Sequence, residues 1–265
     1  MSVLDFLGFF GAFLIGIVLG LVGGGGSILT VPLLVYLLGY NPVVATAYSL
    51  FVVGSSSFVG VIQKHREKLV DFKTGLAFCF PSFLAVFISR RFLVPNIPNE
   101  IFSIQGYTLT KDMLIMVFFA IVMFVAAISM IKTKKETNKP FEKQPYYKTF
   151  IQGLIIGFIT GFIGAGGGFL YVPALVLWAG LSMKNAVGTS LIIVAINSII
   201  GFMGDLYSLE INWMFLLTFS LLTIAGILLG GYLSKYISNK KLKKGFGWFV
   251  MVMAIYIMFK EFTQK

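Results

Sequence analysis

The sequence has little charge and few of the residues that catalysis or metal binding requires. Of its 265 residues only 12% are charged, and it contains one cysteine and one histidine. Soluble domains carry about 25% charged residues, so the composition excludes an ordinary soluble protein. The lone Cys79 has no partner for a disulfide within the chain, and the sequence contains no metal-ligand cluster, phosphate-binding loop or nucleophile–base pair. We therefore expect neither an enzyme nor a bound cofactor.

Long stretches of the chain lack Asp, Glu, Lys and Arg altogether. The first lies between Asp5 and Lys64, and further charge-free runs cover 74–89, 113–131, 149–183, 185–204, 211–234 and 245–259. A helix of about 20 apolar residues crosses the hydrocarbon core of a bilayer. The pattern predicts an all-α integral membrane protein that passes several times through the cell membrane.

The net charge of +11 comes mainly from Lys and Arg in the gaps between these runs, in clusters at 64–73, 132–148 and 235–244. Basic residues that flank membrane spans mark the cytoplasmic side, and they attract anionic lipid headgroups. No soluble segment is available to bind nucleic acid. Membrane lipids, and not nucleic acid, are therefore the predicted partners of this charge.

The chain repeats itself. Residues 16–60 align without a gap onto residues 157–201, at a constant offset of 141. The shared residues include several glycines and a proline, which chance would not place in register. Among the shared residues are Gly16, Gly20, Gly23, Gly25, Gly26, Pro32 and Ser49, matched by Gly157, Gly161, Gly164, Gly166, Gly167, Pro173 and Ser190. We predict two homologous transmembrane repeats, 1–131 and 149–265, joined by a basic cytoplasmic linker at 132–148.

Each repeat begins with a long apolar stretch that glycines interrupt, at 6–38 and 150–179. Each glycine costs a helix about 1 kcal/mol, so each stretch is predicted to form either a re-entrant pair of half-helices or two thin crossings. Three transmembrane helices follow in each repeat, at 42–63, 72–93 and 112–131 and at 185–203, 212–234 and 244–260. Placing the basic clusters in the cytoplasm makes the repeats inverted, which is typical of secondary transporters. The two glycine breaks are then expected to meet near the bilayer midplane.

A glycine cluster that opens a helix exposes backbone N–H groups, and the helix dipole adds positive charge there. The breaks therefore predict a cradle for an anion. Polar side chains in the helix that follows each break are candidates to complete it. The predicted substrate-binding residues are Gly23, Gly24, Gly25, Gly26, Ser27, Thr46, Ser49, Gly164, Gly166, Gly167, Gly168, Thr189, Ser190 and Asn197. The alternative for any of these residues is close helix packing, which we predict for Gly16, Gly20, Gly157 and Gly161.

No Asp or Glu lies in the interior of a predicted span, so a carboxylate proton relay has no candidate. Cation transport would need buried carboxylates, and their absence favours an anion or a neutral polar solute. If transport is coupled to protons, the proton is expected to travel on the substrate, as it does on a weak acid such as hydrogen sulfite.

The motif Gly16-x3-Gly20-x2-Gly-Gly-Gly-Gly-Ser-x4-Pro32, with Ala45-x3-Ser49 after it, resembles the TauE/SafE family of sulfite exporters. The second copy, from Gly157 to Pro173, is similar to it as well. The resemblance implies a plasma-membrane permease for small sulfur-containing anions such as sulfite, thiosulfate or organosulfonates, usually an exporter. It also implies that the glycine motifs at 23–26 and 164–168 form the site.

Three alternatives stay open at this point. The same repeats would serve a passive anion channel, a permease for a different carboxylate or oxyanion, or a membrane subunit that transports nothing. The particular anion, the direction of transport, the coupling ion and assembly into a homo-oligomer are also open.

Overall fold

The computed structural model describes residues 3–23, 27–104, 107–132, 146–164, 167–207 and 209–263. Within them the regular elements are helices and one β-hairpin, joined by short connections. The helices are α1 (Val3–Val22), α2 (Ser27–Pro32), α3 (Pro42–Arg66), α4 (Phe72–Ile88), α5 (Val94–Asn96), α6 (Lys111–Ile131), α7 (Tyr146–Ile163), α8 (Gly168–Leu177), α9 (Met183–Asp205), α10 (Trp213–Leu233) and α11 (Asn239–Thr263). A π-helical turn at Leu33–Leu37 extends α2, and another at Ser89–Leu93 joins α4 to α5.

Helix starts follow capping chemistry that is visible in the sequence. Asn41 accepts a hydrogen bond from Val43 N and precedes Pro42 at the first helical position of α3. Ser182 caps α9 in the same way by accepting from Asn185 N. Helices α3 and α9 therefore start at defined residues.

Six helical segments are long and apolar enough to cross a membrane, three in each predicted repeat. This confirms the six predicted spans. They cover Pro42–Arg66, Phe72–Asn96, Lys111–Ile131, Met183–Asp205, Trp213–Tyr236 and Lys240–Glu261. Large apolar side chains such as Phe80, Leu221 and Phe259 lie exposed on these helices, as expected for surfaces that face lipid.

The segment between the second and third predicted spans has structure of its own. The second span continues through Asn96, and strands β1 (Glu100–Ile104) and β2 (Tyr107–Thr110) then pair antiparallel. Ile, Phe, Tyr and Thr are residues that favour strands. A purely α-helical chain was expected, so this hairpin is an addition to the predicted fold.

Helices α3 and α9 form the antiparallel centre of the molecule. A Cβ atom placed on Gly54 would contact Ser198, and one placed on Gly201 would contact Leu50. At one end, Gly188 of α9 faces Lys64 of α3. The start of α3 therefore lies beside the end of α9, and the start of α9 lies beside the end of α3.

The outer helices exchange partners between the two halves of the chain. Helix α1 packs on α10 and α7 packs on α4, while α6 packs on α11. Glycines allow these close approaches: a Cβ on Gly16 would lie 2.8 Å from the Cα of Gly226, and one on Gly157 would lie 2.6 Å from the Cα of Ser82. The packing role predicted for Gly16, Gly20, Gly157 and Gly161 agrees with this geometry, since all four face a neighbouring backbone.

The glycine breaks do not meet at mid-depth. Gly23 lies against Val187 in the first turns of α9, and Gly164 lies against Thr46 in the first turns of α3. Because α3 and α9 are antiparallel, these contacts are at opposite ends of the pair. They are separated by about 27 Å along α3, at 1.5 Å per residue. The expectation of a midplane meeting is wrong for these two flanking glycines, because α1 and α7 each continue almost to the far end before the chain turns.

Candidate functional site

A fully buried arginine marks one end of the α3–α9 pair. Arg90 lies in the π-helical turn after α4 and its exposed fraction is 0%. π-Helical turns widen a helix locally and are frequent at functional sites. We call this end of the molecule the Arg90 end, and the opposite end, where Lys64 of α3 is buried, the Lys64 end.

Among the described residues, partners are found for one nitrogen of the Arg90 guanidinium. Its Nη2 lies 2.8 Å from Asp205 Oδ2 and donates to Thr46 Oγ1 at 3.0 Å. Its Nε and Nη1 have no hydrogen-bond partner among the described residues. Unpaired N–H groups of a buried cation are costly, so this group is arranged to receive a further acceptor.

The second glycine break forms the wall beside this guanidinium. Gly164 has φ +70°, a backbone conformation that favours glycine. A Cβ atom there would approach Thr46 and would lie 2.8 Å from Arg90 Nη2. The absence of a side chain at Gly164 therefore leaves room for the arginine and its partners.

Charged side chains from two other helices lie beside the arginine. Asp205 is the last residue of α9 and is 3% exposed. Lys111, the first residue of α6, is also buried and lies within electrostatic range of both Arg90 and Asp205. A planar guanidinium matches an oxyanion with two parallel N–H groups, and at Arg90 these groups are buried.

The Lys64 end is built differently. Lys64 Nζ donates to Glu67 Oε2 at 2.9 Å, to Gly231 O at 3.1 Å and to Ser234 Oγ at 2.7 Å. An ammonium group has three N–H donors, so this cation is fully satisfied. Lys235 adds a second ion pair with Glu67 at 3.2 Å. This end is a closed network that holds α3 to α10.

Asn197 lies in a polar network near the middle of α9. Its Nδ2 donates to Ser82 Oγ and to Tyr171 Oη, both at 2.7 Å. Its Oδ1 lies 3.8 Å from Cys79 Sγ, and all four residues are buried. The network ties α4 and α8 to α9, so the amide of Asn197 is already used.

The predicted site residues divide among these regions. Thr46 and Gly164 lie together at Arg90. At the other end Ser190 Oγ lies 3.4 Å from Gly23 O, and Thr189 Oγ1 accepts from Asp71 N at 2.9 Å. Gly167 precedes α8 and Gly168 begins it, and Ser49 is buried with no partner for its hydroxyl among the described residues. Gly24, Gly25, Gly26 and Gly166 lie outside the described residues, as does the side chain of Ser27, which begins α2.

Sequence reasoning missed Arg90, Asp205 and Lys111. It ended the fourth predicted span at 203, before Asp205, and it expected buried carboxylates to be absent. The structure corrects both points, because the span Met183–Asp205 includes Asp205 and the carboxylate is buried. The available signal was position, because Arg90 directly follows the run 74–89 and Asp205 directly follows the run 185–204.

Comparison with known proteins bears on these features. The chain matches the family described as "Sulfite exporter TauE/SafE" over residues 8–257. A "Probable membrane transporter protein" of Xylella fastidiosa (strain Temecula1) is 28% identical over 257 residues, which cover 94% of this chain and 93% of the relative. The "Probable membrane transporter protein YunE" of Bacillus subtilis is 27% identical over 280 residues, covering 93% of this chain and 95% of the relative. No solved structure gives a significant match.

The family match spans both glycine breaks, the first five candidate membrane spans and most of the sixth. The relatives named above are membrane transporters by name and match almost end to end. The chain is a multi-pass membrane transporter that belongs to the sulfite exporter TauE/SafE family.

Proposed function

We propose that this protein carries small sulfur-containing oxyanions, such as sulfite, thiosulfate or an organosulfonate, across the cell membrane. The observation that carries the proposal is the buried guanidinium of Arg90, which has N–H donors to spare beside the Gly164 break. The family described as sulfite exporters supports the choice of a sulfur oxyanion. Arg90 lies at the end of a span and is closed to water, so an anion there exchanges its hydration for fixed donors.

Arg90, Thr46 and Gly164 form the core of the proposed site. Sulfite and sulfonate groups present two oxygens at a spacing that a guanidinium edge can bind. Thr46 Oγ1 accepts a hydrogen bond from Arg90 Nη2 and so fixes the orientation of the planar guanidinium group. The glycine breaks at 23–27 and 164–168 remain part of the proposal, as segments whose small residues allow the anion to pass.

Buried hydroxyls continue the polar surface along the α3–α9 seam. Ser49, Ser57 and Ser198 are fully buried, and their hydroxyls have no partner among the described residues. Ser49 lies within one helical turn of Thr46, and Ser57 and Ser198 lie near the middle of the seam. They are suited to donate to an anion that moves from the Arg90 end toward the Lys64 end.

We propose alternating access by rocking of two inverted repeats, 1–131 and 149–265, about this seam. The helix packing supports this proposal. Helix α1 of the first half packs on α10 of the second, and α7 of the second half packs on α4 of the first. A twofold relation between the repeats requires such reciprocal contacts. The Lys64 end faces the cytoplasm together with the linker 132–148, because Lys64, Lys184 and Lys235 lie close together there. The Arg90 end then faces outward.

Uptake of labelled sulfite into proteoliposomes tests this function. Unlabelled thiosulfate, sulfoacetate, taurine, sulfate and acetate serve as competitors, and empty liposomes serve as the control. We expect saturable uptake, acceleration by unlabelled sulfite inside the vesicles, and competition by sulfur oxyanions but not by acetate. Uptake that does not saturate would indicate a channel, and competition by acetate alone would move the substrate to carboxylates. No uptake above empty liposomes would contradict the proposal.

A further inference from the structure

The role of Asp205 follows from its place on the arginine. It occupies the same Nη2 that holds Thr46, at 2.8 Å, and it comes from the other half of the chain. A carboxylate and a substrate oxyanion are alike in charge and in shape. Asp205 therefore competes with a substrate anion for the positive charge of Arg90, although it leaves Nε and Nη1 unoccupied.

Charge balance limits what the site can hold. With Arg90 and Asp205 both ionised the pair is neutral, and adding one anion would leave an uncompensated negative charge out of water, which is costly. The other ionisable group within electrostatic range of both Arg90 and Asp205 is Lys111 on α6. Its neighbour Asp112 accepts a hydrogen bond from Asn41 Nδ2. Lys111 and Asp112 are adjacent and of opposite sign, and Arg91 is exposed and lies over the Tyr207 ring. Facing groups from α3 and α7 are Thr46 and Gly164, which carry no charge.

We infer that Asp205 is the proton-coupling residue of the transporter. A monovalent anion displaces the Asp205 carboxylate from Arg90, and the displaced carboxylate binds one proton from solution. The occupied site then holds one cation, one anion and a neutral acid, so its charge equals that of the empty site. When the anion leaves on the other side, Asp205 loses its proton and pairs with Arg90 again.

The stoichiometry is one proton with one anion, moving in the same direction, and no covalent bond is made or broken. The direction of net transport follows the sum of the proton and anion gradients. A dianion would leave one charge unbalanced, so monovalent substrates are favoured. The inference rests on the proposed function, but it differs from a proton that travels on the substrate, because it needs no acidic group on the substrate.

Methanesulfonate, which stays ionised and carries no proton of its own, separates these cases. Wild-type proteoliposomes are prepared with an acidic exterior and with the membrane potential clamped at zero. A difference of one pH unit supplies about 1.4 kcal/mol per proton, which corresponds to a factor of ten in concentration. The vesicles are therefore expected to accumulate methanesulfonate about tenfold for each pH unit. In Asp205→Asn the accumulation ratio falls to about one, while exchange of internal for external methanesulfonate survives at a reduced rate. Glu67→Gln, which breaks the ion pairs at the Lys64 end, is the matched control and should keep the tenfold accumulation.

A pH-sensitive dye provides a readout on the wild-type protein alone. Each methanesulfonate taken up is expected to remove one proton from a weakly buffered exterior. Uptake that is saturable but moves no protons and ignores the pH gradient would overturn this inference and leave the proposed function intact. Absence of uptake for methanesulfonate and for sulfite alike would instead contradict the proposed function.

Discussion

The two ends of the α3–α9 pair each bury a cation, but only one leaves it with donors to spare. Lys64 uses its ammonium on three acceptors, and one of these, Glu67, is its neighbour along the chain. Among the described residues Arg90 uses a single nitrogen, and its charged partner Asp205 belongs to the other half of the chain. Asp205 and Lys64 lie 141 residues apart, which is the offset between the predicted repeats. The equivalent positions therefore carry a satisfied cation at one end and the charged partner of Arg90 at the other.

The comparison teaches that burial of charge alone does not identify a binding group. A satisfied cation such as Lys64 holds helices together and gains nothing from a ligand. A cation with unused donors such as Arg90 gains further stabilisation when an acceptor binds to them. The number of occupied donors therefore separates the two ends, and substitutions that preserve charge but change donor number should affect them differently.

The largest effect is expected for Arg90→Lys. The ammonium retains the positive charge near Asp205 but loses the planar fork, so an oxyanion loses at least one charge-assisted hydrogen bond. Such bonds are worth about 1.5–3 kcal/mol, so uptake at low substrate concentration should fall about 10- to 100-fold. The measurement is the initial rate of sulfite uptake, normalised to the amount of inserted protein.

Lys64→Arg is the partner substitution at the other end. The longer side chain disturbs the contacts with Ser234 and Gly231, so thermal stability in detergent should fall. The KM of the molecules that insert should stay within about threefold of wild type, a change below 1 kcal/mol. If KM rises as much as in Arg90→Lys, the two ends do not differ in the way that donor number implies.

A smaller effect is expected for alanine at the flanking glycines. Both Gly164 and Gly23 have positive φ, so each substitution costs about 1–2 kcal/mol of backbone strain. In Gly164→Ala the new methyl group also presses on Thr46 and Arg90, and KM should rise about tenfold, the equivalent of 1.4 kcal/mol. In Gly23→Ala it presses on Val187 backbone atoms, so stability should fall without a comparable change in KM. Equal KM values for the two variants would contradict the assignment of the site to the Arg90 end.

How far the sequence predicts this structure depends on the range of the interaction. The six spans and the caps at Asn41 and Ser182 were predictable, because hydropathy and capping act over a few residues. The repeats were visible as shared residues, and the glycine breaks as clusters. These features depend on neighbours along the chain, so the local pattern contains them.

The pairing of Arg90 with Asp205 was not predictable in the same way. Arg90 and Asp205 each follow a charge-free run, which is also where a loop residue stands. Their burial requires α4, α7 and α9 to pack together first, and that packing depends on glycines in distant helices such as Gly157 against Ser82. Likewise the sequence predicted a break at Gly164 but not that Thr46 would lie against it.

The smallest effect, and the finest test of the comparison, comes from two threonines that the sequence ranked equally. Thr46 Oγ1 accepts from Arg90 Nη2 at the Arg90 end, and Thr189 Oγ1 accepts from Asp71 N at the start of α4, toward the Lys64 end. Valine has nearly the same shape but no hydroxyl, so each variant loses one hydrogen bond, worth about 1 kcal/mol.

In Thr46→Val the guanidinium loses its orienting acceptor, and KM for sulfite should rise about fivefold. In Thr189→Val the same energy is taken from a helix start, so the melting temperature should fall while KM stays unchanged. A KM change of similar size in both variants would show that the Lys64 end also contacts the anion, and the distinction drawn from donor number would fail.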